Sequence, residues 1–509
     1  ATYVDCNGLI KMSGVSDTEL VTNGDFATDS DWNKGTGWII NDGKAINTGG
    51  ANFSDLTQNN TNVTIGKTYK ITYTISDYTS GSIKFIMNNN SAAGVERNAN
   101  GTYTDYISAL SQGYSFRTQG SGFIGKIDNV SVKQVDVETP RIDYLTEIGK
   151  AKELQKPSLL LEPQSTNKLT RSEEFSDSYW VKNNCTVQQS TITSPDGLQN
   201  SYKLIPDAGT GGNRSLGRNF NSLSNFHTWS IFARAGEYKY AILRTRNGPI
   251  AAVAFDLENG TFNVNQSSAV YVADSAKIEN YGNGWYRCSI TLDPSQSNIV
   301  GQLYPSISVG ITGNETDNFD GDGVGGIYVF GAQVEEQSYS TSYIPTSGST
   351  VTRNQDLANN AGSAPVFNSE EGVLYCEIAA LANDGTFREI TLNDGTTSNA
   401  IEIRYVSTSN RLQCVARSGG GVTASLEFDL SNTTEFVKAA LSYKANNFKM
   451  YLNGSLVATD TSGATPVGLN RLSFNWGGFN FFYGKTKEVK VFRRALTDAE
   501  LTELTNNIT

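Results

Sequence analysis

Apolar and polar positions alternate along this chain in short runs instead of recurring at helical spacing. Tyr69, Ile71, Tyr73 and Ile75 alternate with Lys70, Thr72 and Thr74, the period of two that marks a strand with one buried face. Comparable runs read HTWSIFARA, AAVAFDLENGTFNV, KIENYGNGWYRCSITL and GGIYVFGAQVEE across residues 227–336, then EGVLYCEIAAL, FREITLND, AIEIRYVS and RLQCVARS across residues 371–418. Clusters of Gly, Asn, Asp and Ser separate them about every ten residues. The pattern predicts an all-β chain of three β-sandwich (jelly-roll) domains.

Part of the pattern repeats. Leu169 to Phe175 with Trp180 parallels Leu20 to Phe26 with Trp32, and the closing run Val329 to Val334 parallels Ile127 to Val132. The third unit differs: Asn453-Gly454 in FKMYLNG predicts a hairpin turn with positive φ, and Thr497 with Glu500 predicts a capping box on a short terminal helix. Between the first two units Pro140, Pro157 and Pro163 bracket a connector, since each removes a backbone donor and biases its predecessor toward extended geometry. Leu159-Leu160-Leu161 within it is too short an apolar run for a helix and is expected to lie against a folded neighbour. The expected organisation is an N-terminal strand and attachment segment at 1–17, a jelly roll at 18–135, a junction at 136–164, a second, longer jelly roll at 165–350 and a last sandwich at 351–509.

Composition agrees. At 509 residues the chain exceeds a single core, and 18% charged residues, 49 Gly and 10% aromatics suit packed sheets joined by turns. A net charge of −11, spread along the chain, argues against nucleic-acid binding. No basic-then-apolar leader is present, and no stretch approaches the roughly 18 apolar residues of a membrane helix, so a soluble protein without membrane insertion is expected. Cys6, Cys185, Cys288, Cys376 and Cys414 are odd in number, without a CxxC pair, and His227 is the single histidine. Free thiols follow, not a disulfide framework or zinc site.

Catalytic chemistry finds little support. A glycosidase needs two carboxylates about 5 to 10 Å apart across a cleft, and no Asp or Glu stands out; the pairs Glu173-Glu174, Glu335-Glu336 and Glu370-Glu371 read as solvated turns at unit edges. No GxSxG elbow is present. Asp317, Asp320 and Asp322 in TDNFDGDGVGG have the oxygen-rich spacing of a Ca²⁺ loop without the EF-hand glutamate, and the same residues make good turns. No other cofactor is expected. For sugar stacking, the candidates are Trp32 and Trp38, which flank a Gly-rich loop, and Trp476 and Phe479 in FNWGGFNFFYG, set against the reading that sandwich aromatics are core. Trp180, Trp229 and Trp285, inside alternating runs, are expected in the core.

Three resemblances sharpen this. The opening Ala1, Thr2, Val4, Gly8, Leu9 and Ile10, with PRIDY at 140–144, PSLLLEPQSTN at 157–167, SEEFSDSYW at 172–180 and SYSTSYIPTSGSTVTRNQD at 338–356, resembles the junction of tail-fibre and related structural proteins of tailed bacteriophages. There the opening strand and the junction are neighbours, so the more than 120 intervening residues imply an inserted domain. LVTNGDF…W and IDNVSV resemble the carbohydrate-binding jelly rolls of bacterial glycoside hydrolases, and FKMYLNG with VKVFRRALTDAELTEL resembles the concanavalin A/laminin G sandwich. The resemblance implies a non-enzymatic virion structural protein, a tail or head fibre made in the bacterial cytoplasm. It implies a homotrimer contacting other virion proteins and displaying its sandwiches to host cell-surface glycans. The rivals are a secreted polysaccharide-active protein with accessory binding modules and a capsid or tail decoration that binds no sugar.

Overall fold

The computed structural model describes residues 2–12, 18–49, 52–59, 62–87, 91–135, 140–151, 154–209, 212, 214–220, 225–246, 251–293, 295, 304–310, 312–314 and 320–506. The regular secondary structure of the described residues is nearly all antiparallel strand, with one α-helix at Asp498–Thr505. The fold is all-β and built of sandwiches.

In the first sandwich two long strands, Thr68–Ile86 and Tyr114–Val135, pair from Thr68↔Val135 to Ile86↔Ser115. Their alternation is the one read from sequence: Tyr69, Ile71, Tyr73 and Ile75 are buried, and Lys70, Thr72 and Thr74 face outward. The register slips at Gly81, whose φ of +77° and closeness to Gly122 leave no space for a Cβ. Leu20 N donates to Val132 O at 3.0 Å, so the entry and exit of this unit lie side by side.

The second sandwich has two six-stranded sheets, one centred on Tyr304–Gly310 and Tyr240–Arg246, the other on Ile327–Glu335 and His227–Arg234. Trp180 and Trp229 are in its core, and Trp285 lies in a smaller buried cluster beside it, as expected. The repeat seen in sequence has a geometric counterpart. Trp32 Nε1 donates to Asn23 O at 3.1 Å and Trp180 Nε1 to Arg171 O at 2.9 Å, each nine residues back, with Phe26 and Phe175 tilted against the indoles at 5.4 and 5.0 Å.

The third sandwich sets a five-stranded sheet, Arg388–Asn393 to Gly421–Asp429 with Arg471–Ser473, against a seven-stranded one. Two strands of the larger sheet come from the connector: Ile142–Asp143 pairs Ser158–Leu161, which in turn pairs Gly484–Phe492 through Leu159↔Thr486. The apolar run thus finds its folded neighbour at the far end of the chain, where Leu160 and Leu161 are buried. The terminal helix is capped as expected, Glu500 N donating to Thr497 Oγ1 at 3.3 Å and Thr497 N to Glu500 Oε2 at 2.8 Å. Asn453 and Gly454 take φ of 44° and 85°.

The opening strand, both ends of the connector and the exit of the second sandwich converge on one buried node. The Arg141 guanidinium donates to Thr2 O at 3.0 Å, Ser342 Oγ at 2.9 Å, Glu162 Oε2 at 2.7 Å and the Asp356 carboxylate. Ser342 N donates to Glu162 Oε1 at 2.8 Å, and Arg353 Nη1 lies 3.4 Å from Glu162. The opening strand Thr2–Val4 reaches the connector across the first sandwich, with Val4 N on Asp143 Oδ1 at 3.1 Å and Tyr144 N on Val4 O at 2.9 Å. A buried guanidinium needs partners for its donors, and the node supplies them from four separated segments.

Candidate functional site

A cavity of about 470 Å³ opens between the outer face of the first sandwich, the N-terminal hairpin and the second sandwich. The first sandwich contributes two rows across three strands. Tyr106, Lys70 and Lys133 stand directly opposite one another, and beside them Thr104, Thr72 and Ser131 do the same. Lys11 and Tyr3 come from the hairpin, Glu173, Asp196, Phe330 and Tyr343 from the far wall.

The far wall is wired by hydrogen bonds. Tyr343 Oη donates to Glu173 Oε1 at 2.9 Å, and Asn200 Nδ2 reaches Asp196 Oδ2 at 3.1 Å. Asp196 Oδ1 takes Ser194 Oγ at 2.6 Å and Leu198 N at 3.0 Å. Burial, then the charge of Asp196, pushes the Glu173 carboxyl up to about 8. On the near wall burial lowers Lys70, with Lys11 and Lys133 adding repulsion and Asp196 and Glu173 opposing it. At the cavity's edge Arg97, buried over the Tyr103 ring at 4.6 Å, holds Asp105 at 2.9 Å within the first sandwich and Glu174 of the second. Glu173-Glu174 is therefore no solvated turn: one carboxylate walls a cavity and the other latches two sandwiches.

The stacking candidates divide. Trp32 and Trp38 are 5% and 4% exposed inside the first core and offer no face to a sugar, a correction to the sequence reading. Their neighbouring glycines turn the chain; they do not expose the rings. Trp476 and Phe479 close a tight hairpin, bonded N to O in both directions at 2.8 and 2.9 Å, with φ of 59° at Gly477 and 88° at Gly478. Phe479 is 68% exposed at its tip, while half-buried Trp476 lies with the Arg417 guanidinium 5.2 Å from its ring centre.

Under this hairpin the outer face of the five-stranded sheet carries an ion network. Arg404 Nη1 lies 3.1 Å from Glu402 and 3.3 Å from Glu389, Arg417 Nε 2.6 Å from Glu402, and Asn480 Nδ2 donates to Glu389 Oε1 at 2.9 Å. Both carboxylates are fully buried. Burial, then Glu389, pushes Glu402 up to about 7 against the two arginines. This network anchors the hairpin through Asn480.

The calcium candidates are not brought together among the described residues. Asp322 Oδ1 accepts from Val324 N at 2.9 Å and Gly325 N at 2.8 Å, a local turn that uses the carboxylate internally. Asp320 is exposed, and Asp317 lies outside the described residues. No group of three or more His, Cys, Asp or Glu suited to a metal occurs among the described residues. All five cysteines are free thiols, four of them buried.

The cavity residues Lys70, Tyr106, Lys133, Glu173 and Asp196 were missed by sequence reasoning. Lys70 and Lys133 occupy the polar positions of alternating strands, which read as solvated, and nothing local shows that another sandwich faces them.

No curated protein matches the chain. Among solved structures, the CBM40 of the Ruminococcus gnavus IT-sialidase, bound to α2,3-sialyllactose, is 17% identical at a TM-score of 0.25, covering 29% of this chain and 94% of its own. The CBM22-1–CBM22-2 tandem of Paenibacillus barcinonensis Xyn10C is 11% identical at 0.22, covering 64% and 98%. Domains LG4-5 of the mouse laminin α1 chain are 10% identical at 0.20, covering 65% and 93%. Residues 378–502 match the concanavalin A-like lectin/glucanases superfamily in its laminin G form. The last sandwich is a concanavalin A/laminin G-like domain.

Proposed function

We propose that this chain is a structural protein of a tailed-bacteriophage particle, a tail or head fibre, whose sandwiches attach to host cell-surface glycans. The observation that carries this reading is the Arg141 node. Four of the five segments that resemble the phage junction supply part of it: Thr2, Arg141, Glu162, and Ser342 with Asp356. Segments that join modules are what a fibre requires and what a freely tethered accessory domain does not. The glycan half of the proposal rests on the cavity, whose hydroxyls, carboxylates and lysines line a space of about 470 Å³.

The fibre reading carries a homotrimer with it, and weak single sites then gain strength through several copies on one particle. The test is direct. Mass spectrometry of purified particles from a phage carrying this coding sequence should find the chain, sedimentation of the isolated protein should give a trimer, and labelled protein should decorate cells that the phage infects. Absence from particles together with a clean 55.1 kDa monomer would overturn it.

Glu173 and Asp196 in one cavity favour a second reading, a polysaccharide-cleaving activity with Glu173 as the proton donor. Release of reducing ends from host polysaccharide, abolished by Glu173→Gln, is its signature; retention of intact polysaccharide favours the fibre.

A further inference from the structure

We infer that the cavity between the first and second sandwiches takes an acidic saccharide, its carboxylate held by Lys70, Lys133 and Lys11; this deepens the glycan-binding reading and rests on it. Lys70 and Lys133 are direct cross-strand partners in register, the arrangement in which like charges repel. Lys11 approaches from the N-terminal hairpin closely enough to add to that repulsion. Among the described residues none of the three ammonium groups forms an ion pair, whereas other lysines on these same sheets do, such as Lys44 with Asp128 at 3.1 Å. All three line the cavity, where charge is less well solvated than on an open surface.

The three ammonium groups share one cavity without a directly paired carboxylate, Asp196 and Glu173 acting on Lys70 only from the far wall, and an anion entering beside the lysines gains direct partners. The remainder of the wall selects the kind of anion. Thr72 and Thr104 present hydroxyls beside the lysines, next to Ser131, whose hydroxyl donates to Glu19 Oε2 at 2.5 Å, and Glu173 and Asp196 stand opposite. Such groups bind sugar hydroxyls, while Tyr106 offers a ring beside the cations. A bare inorganic anion uses only the lysines; a sugar bearing a carboxylate uses both walls.

The test is calorimetric titration of the full chain with trigalacturonate, a hyaluronan tetrasaccharide and a sialic acid dimer, each beside its carboxyl-reduced form. At least one acid is expected to bind, reduction is expected to weaken it about tenfold or more, and added salt should weaken it further. Lys70→Met, which keeps the apolar stem, should cost a similar factor, as should Lys133→Met; Thr104→Trp, which fills the space, should abolish binding. Thermal melting confirms that each variant is folded, and any two suffice for the test. Equal binding of acid and reduced forms, wild-type affinity in the lysine variants, or failure of all three acids while infected-host cells are still decorated overturns this inference and leaves glycan attachment standing. Failure to decorate those cells as well overturns both.

Discussion

Arg141 and Glu162 meet at 2.7 Å with side chains 1% and 4% exposed, so neither charge has water to fall back on. Removing one member of such a pair leaves the other buried and alone, which costs about 3–5 kcal/mol. Arg141→Leu is expected to lower stability by that amount in chemical denaturation. It should also open the connector to limited proteolysis, because the same guanidinium holds Thr2 and Asp356. A loss below about 1 kcal/mol would mean that the node is solvated.

Acid should weaken the same region. Burial favours the neutral form of Glu162, but Arg353 and Arg141 outweigh it and hold the carboxyl down, from 4.5 to about 2. Glu147 is likewise held at about 2, burial being outweighed by hydrogen bonds from Lys150, the Lys156 backbone and Lys487. Groups held below their unfolded value contribute stability that is complete above about 4.5 and lost as pH falls toward 2. The melting temperature should therefore drop through that window, and Glu162→Gln should flatten the drop while lowering the plateau.

Glu173 works in the opposite direction. Its carboxyl sits at about 8 against 4.5 in the unfolded chain, so its contribution is complete below pH 4.5 and disappears as pH rises through 8. Glu173→Gln is expected to remove this slope and to melt higher than the parent at pH 9. A parent protein whose stability is level between pH 6 and 9 counts against the assignment.

The hairpin over the third sandwich separates stability from binding. A Cβ at Gly477 would lie 2.4 Å from Thr397 Cγ2 at a φ of +59°, so Gly477→Ala should cost about 1–2 kcal/mol in denaturation. Phe479→Ala, at the exposed tip, should leave stability within about 0.5 kcal/mol. Loss of cell decoration in Phe479→Ala with an unchanged melt would place a second glycan contact there.

The first sandwich should be removable. Leu20 and Val132 are hydrogen-bonded neighbours where the chain enters and leaves it, so a short Gly/Ser linker in place of residues 18–135 spans the gap at small closure cost. Circular dichroism and sedimentation should show the rest folded in the parental oligomeric state, without the acidic-saccharide binding, since Lys70 and Lys133 are gone. Glu174 keeps Arg171 as a partner after losing Arg97.

Local chemistry was legible in the sequence and long-range adjacency was not. Tyr69 to Ile75 declared their buried face by alternation, the parallel of Trp32 with Trp180 proved to be one repeated indole-to-backbone bond, and Thr497 with Glu500 proved to be a cap. Each depends on residues fewer than about ten positions apart. Lys70 reads as an ordinary solvated position until Glu173 is brought across from it, and no local signal encodes that approach. Trp38 beside Gly37 reads as a loop aromatic because a turn glycine marks where the backbone bends, not which way the ring points.

The pairing of Leu159 with Thr486 also sets a timetable. The connector strand leaves the ribosome about 330 residues before the strand that covers its edge, an interval on the order of tens of seconds at elongation rates of about 5–20 residues per second. Throughout it Leu159-Leu160-Leu161 is an apolar strand with an unpaired edge, the kind that recruits other chains. Nascent copies made on one message are the nearest such chains. Release of the last hundred residues, more than folding of any one sandwich, is then the step that decides between a soluble product and an aggregate, and a charged residue at Leu159, which is only half-buried, is the place to shift that balance.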